Sequence, residues 1–235
     1  MSFTLLGILN SQAAGGLTYW LSTLGGAVSE VGYSVAIDSS DNVYVLGRTN
    51  STGAGGYDFL IAKYNSSGTI QWQRVLGGAG TEIGNSVAID SSDNVYVFGY
   101  TTSTGAGGDD FLIAKYNSSG TVQWQRVLGG GSNEVGYSVA IDSSDNVYVF
   151  GYTNSTGAGG NDFLLAKLPN DGSLTGTYVL DGVDMVYATS TLTGATSTLT
   201  ASTSTLTAAT STLTAATSTL TDASASLTEH LVEIG

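Results

Sequence analysis

Carboxylates are the recurrent reactive groups of this sequence. Asp58, Asp110 and Asp162 return every 52 residues ahead of an apolar run, beside Tyr57, Asp109 and Asn161. Two carboxyls, one protonated and one ionised, hydrolyse glycosides. A catalytic pair is unique in a fold, however, and these recur with it. An aspartate capping the backbone amides of a turn accounts for the recurrence directly. The single histidine, His230, lies in the C-terminal segment and there is no cysteine. The repeats therefore hold no Ser-His-Asp arrangement and no His/Cys zinc cluster.

Two further patterns gather oxygens or amides without completing a site. The turns Asp38-Ser-Ser-Asp41-Asn42, Asp90-Ser-Ser-Asp93-Asn94 and Asp142-Ser-Ser-Asp145-Asn146 each crowd several side-chain oxygens. Calcium takes about six to eight oxygens, and the glycine-centred Asp-x-Asp-x-Asp-Gly loop is missing, which leaves an Asx-stabilised hairpin turn as the simpler reading. The loops Gly53-Ala-Gly-Gly56, Gly105-Ala-Gly-Gly108 and Gly157-Ala-Gly-Gly160 open no helix and carry no lysine, so a phosphate cradle is not expected. The expectation is no catalytic residue, no metal and no cofactor. Recognition remains, and it belongs to positions that change from unit to unit: Tyr57, Asp109 and Asn161, and Arg48, Tyr100 and Tyr152. The loops Ala79-Gly-Thr81 and Gly131-Ser-Asn133 vary too, and loops on a rigid scaffold are where binding usually resides. Trp72 and Trp124 alternate with Arg74 and Arg126 and fit a half-buried strand face better than a sugar platform.

The scaffold is a repeat. Ser34-Val-Ala-Ile-Asp-Ser-Ser-Asp-Asn-Val-Tyr-Val returns from Ser86 and from Ser138, and Trp20, Trp72 and Trp124 keep the same 52-residue step. Leu24, Leu76, Leu128 and Leu180 follow it as well. A fixed period of this size marks one supersecondary unit used several times, each copy covering its neighbour's apolar face. In the second copy, strands are expected at Ser86 to Asp90, Val95 to Thr101, Asp110 to Asn117 and Thr121 to Leu128, with Asp/Asn/Ser/Gly turns between them. The fold class is mainly β: three four-stranded antiparallel units, then a heptad stalk. The segment Asp110-Phe-Leu-Ile-Ala-Lys-Tyr-Asn-Ser-Ser-Gly-Thr-Val-Gln-Trp and the Ser-Val-Ala-Ile-Asp block resemble the beta-propeller repeats called SBBP. The resemblance implies one four-stranded blade per unit and no single activity. Propellers close with about four to eight blades. Three units with one spare strand at Leu17 to Leu24 therefore suggest either blades pooled between chains or closure as a β-trefoil.

Three regions follow: an apolar anchoring peptide at 1–16, the β-repeat domain at 17–184 and a stalk at 185–235. In the stalk Leu192, Leu199, Leu206, Leu213, Leu220 and Leu227 fall every seven residues, and Leu231 extends the stripe. Such a heptad predicts an oligomerising coiled coil, for which a trimer is favoured. The many threonines are poor helix formers, so intertwined β-strands or a disordered, glycosylated stalk stay open. A net charge of -13 disfavours nucleic acid and anionic membrane surfaces as partners. The opening Met1-Ser-Phe-Thr-Leu-Leu-Gly-Ile-Leu is similar to N-terminal segments of tailed-phage structural proteins. That similarity implies a virion appendage, a tail or head fibre or capsid decoration held by other virion proteins and attaching to host-surface glycan. A secreted or cell-surface bacterial adhesion module is the alternative, and a glycan-cleaving enzyme the second.

Overall fold

The computed structural model describes residues 20–197 and 199–205. Within them every regular element is a strand, and the expected units are present. The first unit comprises β2 (Glu30–Ile37), β3 (Val43–Thr49), β4 (Asp58–Tyr64) and β5 (Ile70–Gly77). The second comprises β6 (Glu82–Ile89), β7 (Val95–Thr101), β8 (Asp110–Tyr116) and β9 (Val122–Gly129). In the third, β10 (Glu134–Ile141), β11 (Val147–Thr153) and β12 (Asp162–Leu168) form a three-stranded sheet. Neighbours within each unit pair antiparallel.

Turn chemistry explains the hairpins. Asp38 Oδ1 accepts the amides of Ser40 and Asn42 at 2.9 Å each, and Asp90 and Asp142 do the same in their units. Asp41, Asp93 and Asp145 sit at φ of 61°, 59° and 59°, a left-handed conformation that Asp tolerates better than most residues. Between third and fourth strands, Asn65 Oδ1 accepts from Ser67 and Thr69 amides, and Gly68 follows at φ 80°. A Cβ on Gly68 would lie 2.5 Å from the Trp20 ring, so glycine is required on two counts.

The units stack face to face, each first strand lying on the preceding unit. One shared cluster holds Leu46, Phe59, Ile61, Val87, Val95 and Leu112, and a second joins Phe98, Phe111 and Ile113 to Val139 and Val149. Polar clamps repeat across each junction. Ser39 donates its amide and hydroxyl to the two oxygens of Asp93, at 3.0 and 2.8 Å, and Ser91 does so to Asp145. The indole N–H groups of Trp20, Trp72 and Trp124 donate to the carbonyls of Ser66, Ser118 and Asn170. Trp20 stacks on Tyr64 with centroids 5.8 Å apart, Trp72 stacks on Tyr116 at 6.5 Å, and Trp72 and Trp124 pack in the two shared clusters. Separate stacked sheets of this kind are blades, and the trefoil alternative does not describe them.

Two expectations need correction. The third unit has no fourth strand of its own. Residues Gly176–Leu180 form β13, which leaves β12 and folds back through Asp181-Gly182 onto β14 (Val183–Thr189). Leu174 at φ 60° marks the departure, and the two-residue Asp-Gly turn is the chemistry a tight hairpin asks for. The spare strand β1 (Trp20–Gly25) is present, standing in a fourth-strand position beside the first unit.

The tail is the second correction. The described part of the heptad segment is extended, not helical: β14 pairs with β9, β15 (Thr193–Thr196) with β5, and β16 (Thr200–Thr205) with β1. Each seven-residue step advances the tail by one 52-residue unit. Thr189, Thr196 and Thr203 lie opposite Arg126, Arg74 and Ser22. Met185, Leu192 and Leu199 are buried at matching places, facing Gly130, Gly78 and Gly26, where a Cβ would lie 3.1, 2.8 and 2.7 Å from them. Gln125 and Gln73 donate to the carbonyls of Leu192 and Leu199 at 2.9 and 2.8 Å. The described part of the heptad segment is thus a strap that covers the outermost strand of successive units. Threonine-rich sequence suits strands as it does not suit helices. Leu206, Leu213, Leu220, Leu227 and Leu231, and the 1–16 peptide, lie outside the described residues.

Replacing Leu192 by Ala should lower unfolding free energy by about 2–5 kcal/mol, the usual cost of emptying a buried leucine site. Equilibrium urea unfolding followed by tryptophan emission measures it. An unchanged midpoint would mean that the tail does not lie on the blades.

Candidate functional site

A bulge aims one side chain per unit out of the sheet. The first strand of each unit carries an extra residue between Gly32 and Ser34, Gly84 and Ser86, or Gly136 and Ser138, namely Tyr33, Asn85 and Tyr137. An unpaired bulge residue is turned away from the ladder, a common device next to binding sites. The partner strand must come close there. A Cβ at Gly47, Gly99 or Gly151 would lie about 2 Å from the carbonyl oxygen of Val31, Ile83 or Val135 (1.9, 1.8 and 2.1 Å). Glycine at those positions is what permits the bulge.

The bulge residues meet the residues expected to vary. Arg48, at the end of β3, places its guanidinium carbon 4.1 Å from the Tyr57 ring centre and 5.8 Å from that of Tyr33. Its Nε is buried without a hydrogen-bond partner. Tyr137 and Tyr152 lie 5.9 Å apart with rings tilted by 57°. Asn85 donates to the Gly136 carbonyl at 2.7 Å and bridges the second and third units. Tyr100 lies within electrostatic reach of both groups, through Arg48 and Tyr33 on one side and Tyr152 on the other. Burial raises its phenol pKa, the Asp109 charge raises it further, and Arg48 opposes both. Burial likewise raises the Asp109 carboxyl and the Tyr152 phenol. Five of the six expected ligand residues therefore share one face: Arg48, Tyr57, Tyr100, Asp109 and Tyr152. Asn161 is exposed at the corresponding place of the third unit and joins none of these contacts among the described residues. Tyr33, Asn85 and Tyr137 were not anticipated, although Gly-x-Ser with x reading Tyr, Asn, Tyr inside an otherwise constant block was the available signal.

The side chains of this face offer contacts of the kind that hold a ligand rather than groups arranged for catalysis. The guanidinium lies close to the Tyr57 ring and within 5.8 Å of the Tyr33 ring centre, contacts that favour a cation, and its Nη groups are the donors a planar anionic group would need. Tyrosines offer flat apolar surface with a hydroxyl at the edge. Asp109 adds an acceptor.

The recurrent carboxylates do structural work. Glu82 accepts the Gly78 amide and the Thr101 hydroxyl at 2.8 and 2.7 Å, and Glu134 repeats this with Gly130 and Thr153. Asp58 accepts the Ala54 amide, and Asp110 those of Ala106 and Gly107. Burial, aided by neighbouring Glu82, pushes the Asp58 carboxyl up to about 6. Burial does the same to Asp110, also about 6, with Glu134 and Asp109 adding to it. Asp38 behaves oppositely. Burial would raise it, but hydrogen bonds from Asn42, Ser40 and Tyr44 outweigh burial and bring it down to about 2. Lys63 Nζ lies 3.3 Å away, and Lys115 holds the same relation to Asp90 at 3.2 Å. The Asp-Ser-Ser-Asp turns thus use their oxygens on backbone amides, on side chains of their own unit and, at Asp93 and Asp145, on a serine of the preceding unit. No group of three or more potential metal-binding side chains occurs among the described residues.

A stack of antiparallel sheets built on a repeated unit, with a variable face, defines a repeat-built β scaffold. Residues 24–53, 71–105 and 123–157 match the family SBBP, a beta-propeller repeat. Each match runs from a strand in the fourth-strand position through the first two strands of the following unit and ends at the first glycine of the loop after them. Two curated proteins are also similar. An uncharacterized WD repeat-containing protein, L264, of Acanthamoeba polyphaga mimivirus is 24% identical over 182 residues. The regulatory protein FlaEY of Caulobacter vibrioides is 27% identical over 183 residues. The matches cover 57% and 64% of this chain but only 13% and 19% of those proteins' lengths.

The raised carboxyls set a pH dependence. Between about 4 and 6 the folded protein holds protons on Asp58 and Asp110 that the unfolded chain has released, so stability falls as pH rises through that window. Asp58→Asn with Asp110→Asn should raise the melting temperature at pH 7.5 and flatten its slope between pH 4 and 7. Calorimetry across that range checks it; a double variant with the parent slope would refute the assignment.

Proposed function

We propose that the chain is a non-catalytic attachment module that binds carbohydrate bearing a carboxylate or sulfate group. One observation carries the reading: Arg48, held between Tyr33 and Tyr57, leaves a buried Nε without a partner on a face built from the residues that differ between units. A constant scaffold with a varied face is what a binding role asks of a repeat protein. An arginine fork engages the anionic group bidentately, the tyrosines stack on sugar rings, and Asp109 accepts a hydroxyl. Individual sites of this kind are weak, so attachment draws on several copies at one surface. The low charged fraction, 11%, and the glycine-rich loops support a particle or cell surface as the location. A virion appendage of a tailed phage is the preferred setting, on the strength of residues 1–16; a bacterial surface adhesin would use the same face.

A glycan array probed with labelled protein should show acidic oligosaccharides bound above neutral ones. Arg48→Ala should reduce that signal at least about tenfold, the loss expected of a charge-assisted pair. Asn161→Ala should leave it unchanged. Equal binding by the parent and Arg48→Ala would sink the reading.

A further inference from the structure

The two ends of the stack are the two halves of one interface, and the molecule already uses that interface twice. At the internal junctions Val87 and Val139 are buried against the preceding unit. Their counterpart on the first unit, Val35, is 62% exposed, and Ile37 beside it is also 62% exposed. The opposite face shows the reverse. Phe111 and Ile113 are buried beneath the third unit, whereas their counterparts Phe163 and Leu165 are 87% and 67% exposed. The glycines agree. A Cβ at Gly84 would meet Leu46 at 2.9 Å and one at Gly136 the Phe98 ring at 2.5 Å, but at Gly32 it would meet nothing within 4 Å. Ser39 and Ser91 each find an aspartate on the following unit, while Ser143 is exposed at the far end and Asp41 at the near one.

The strand edges match in the same sense. The third sheet ends at β12, where the first and second continue into β5 and β9. The strand β1 holds a fourth-strand place with β16 as its sheet neighbour. Beside β12 lies an apolar cleft of about 330 Å³, walled by Leu164, Leu168, Tyr178, Leu180 and Met185.

We infer that the front of the first unit and β1 receive the third unit of a second copy of this chain, with β1 becoming the fourth strand of that unit. The register follows from the two internal examples. Phe59, Leu60, Ala62 and Lys63 pair with Leu76, Val75, Gln73 and Trp72, and the second unit repeats this. Phe163, Leu164, Ala166 and Lys167 of one copy therefore pair with Leu24, Thr23, Leu21 and Trp20 of the other. Leu21, 59% exposed in the single chain, then enters the apolar cleft, and Trp20 and Leu24 join Phe163 and Leu165 against the first unit. The interface is heterologous, so it either closes a ring or runs on as a filament. Two copies bring six blades together, inside the range of about four to eight at which propellers close, whereas three would bring nine. The assembly is a ring of two.

The chain has no cysteine, which makes the test clean. Leu24→Cys and Phe163→Cys are made as separate full-length proteins, refolded together and oxidised. The expected product is a covalent heterodimer, absent when either protein is treated alone, with the bridge located by peptide mass spectrometry. Native mass spectrometry of the parent should give two chains. Phe163→Asp, at a residue already exposed, should give one chain with an unchanged circular dichroism spectrum. A single-chain parent overturns the inference, as does a pair that forms no 24-to-163 bridge, since the β12 edge would then belong to other residues such as 174–180. A bridged but open-ended series of masses overturns the closed pair.

Discussion

Each unit of this protein is half a core. A four-stranded sheet of 52 residues has two apolar faces and little else, and burial comes from the unit before and the unit after. Everything else in the structure serves that contact. The Asp-Ser-Ser-Asp turns reach across to a serine of the neighbour, and the tryptophans place their N–H groups on a neighbour's carbonyl. Glycines stand wherever a Cβ would hold two units apart, as at Gly84 and Gly136. Order in this chain is a property of junctions more than of units.

The same constraint separates the roles of the carboxylates. Those that cap turns and junctions are identical in every unit, because every junction is the same. Asp38 is held ionised by its hydrogen bonds, and Asp58 and Asp110 are held toward the protonated form by burial. Side chains that differ between units are relieved of this duty and collect on one face, with Arg48 and Tyr100 on neighbouring units there. Constancy inside and variation outside separates what the stack needs from what it leaves free.

Much of this was legible in the residues. The period, the antiparallel units and the strands Val95–Thr101 and Asp110–Tyr116 followed from turn chemistry and β-branched runs. The strand beginning at Glu82 starts four residues earlier than Ser86 suggested, because Glu-Ile-Gly-Asn reads as a loop until the buried Glu82 is seen bound to the Gly78 amide and Thr101. In its described part, up to residue 205, the heptad was misleading for a definite reason. A seven-residue spacing of leucine suits two helical turns, but it also suits a strand that crosses one blade edge and moves to the next. Only the partner decides between them, and the partner lies about 60 to 180 residues away in sequence, at Arg126, Arg74 and Ser22. The bulge residues Tyr33, Asn85 and Tyr137 were hidden because a bulge is a property of paired strands and not of one.

The strap has a consequence for how such a chain can change length. Near-identical stretches of coding sequence invite unequal exchange, which would add or remove whole blades at a stroke. A tail that counts in sevens against a body that counts in fifty-twos ties the two tallies together. Along the described residues, an outer strand deprived of its seven-residue partner would be a bare edge, and a bare strand edge is an invitation to aggregate. Over its described length the tail works as a ruler, laying one seven-residue rung on each outer strand.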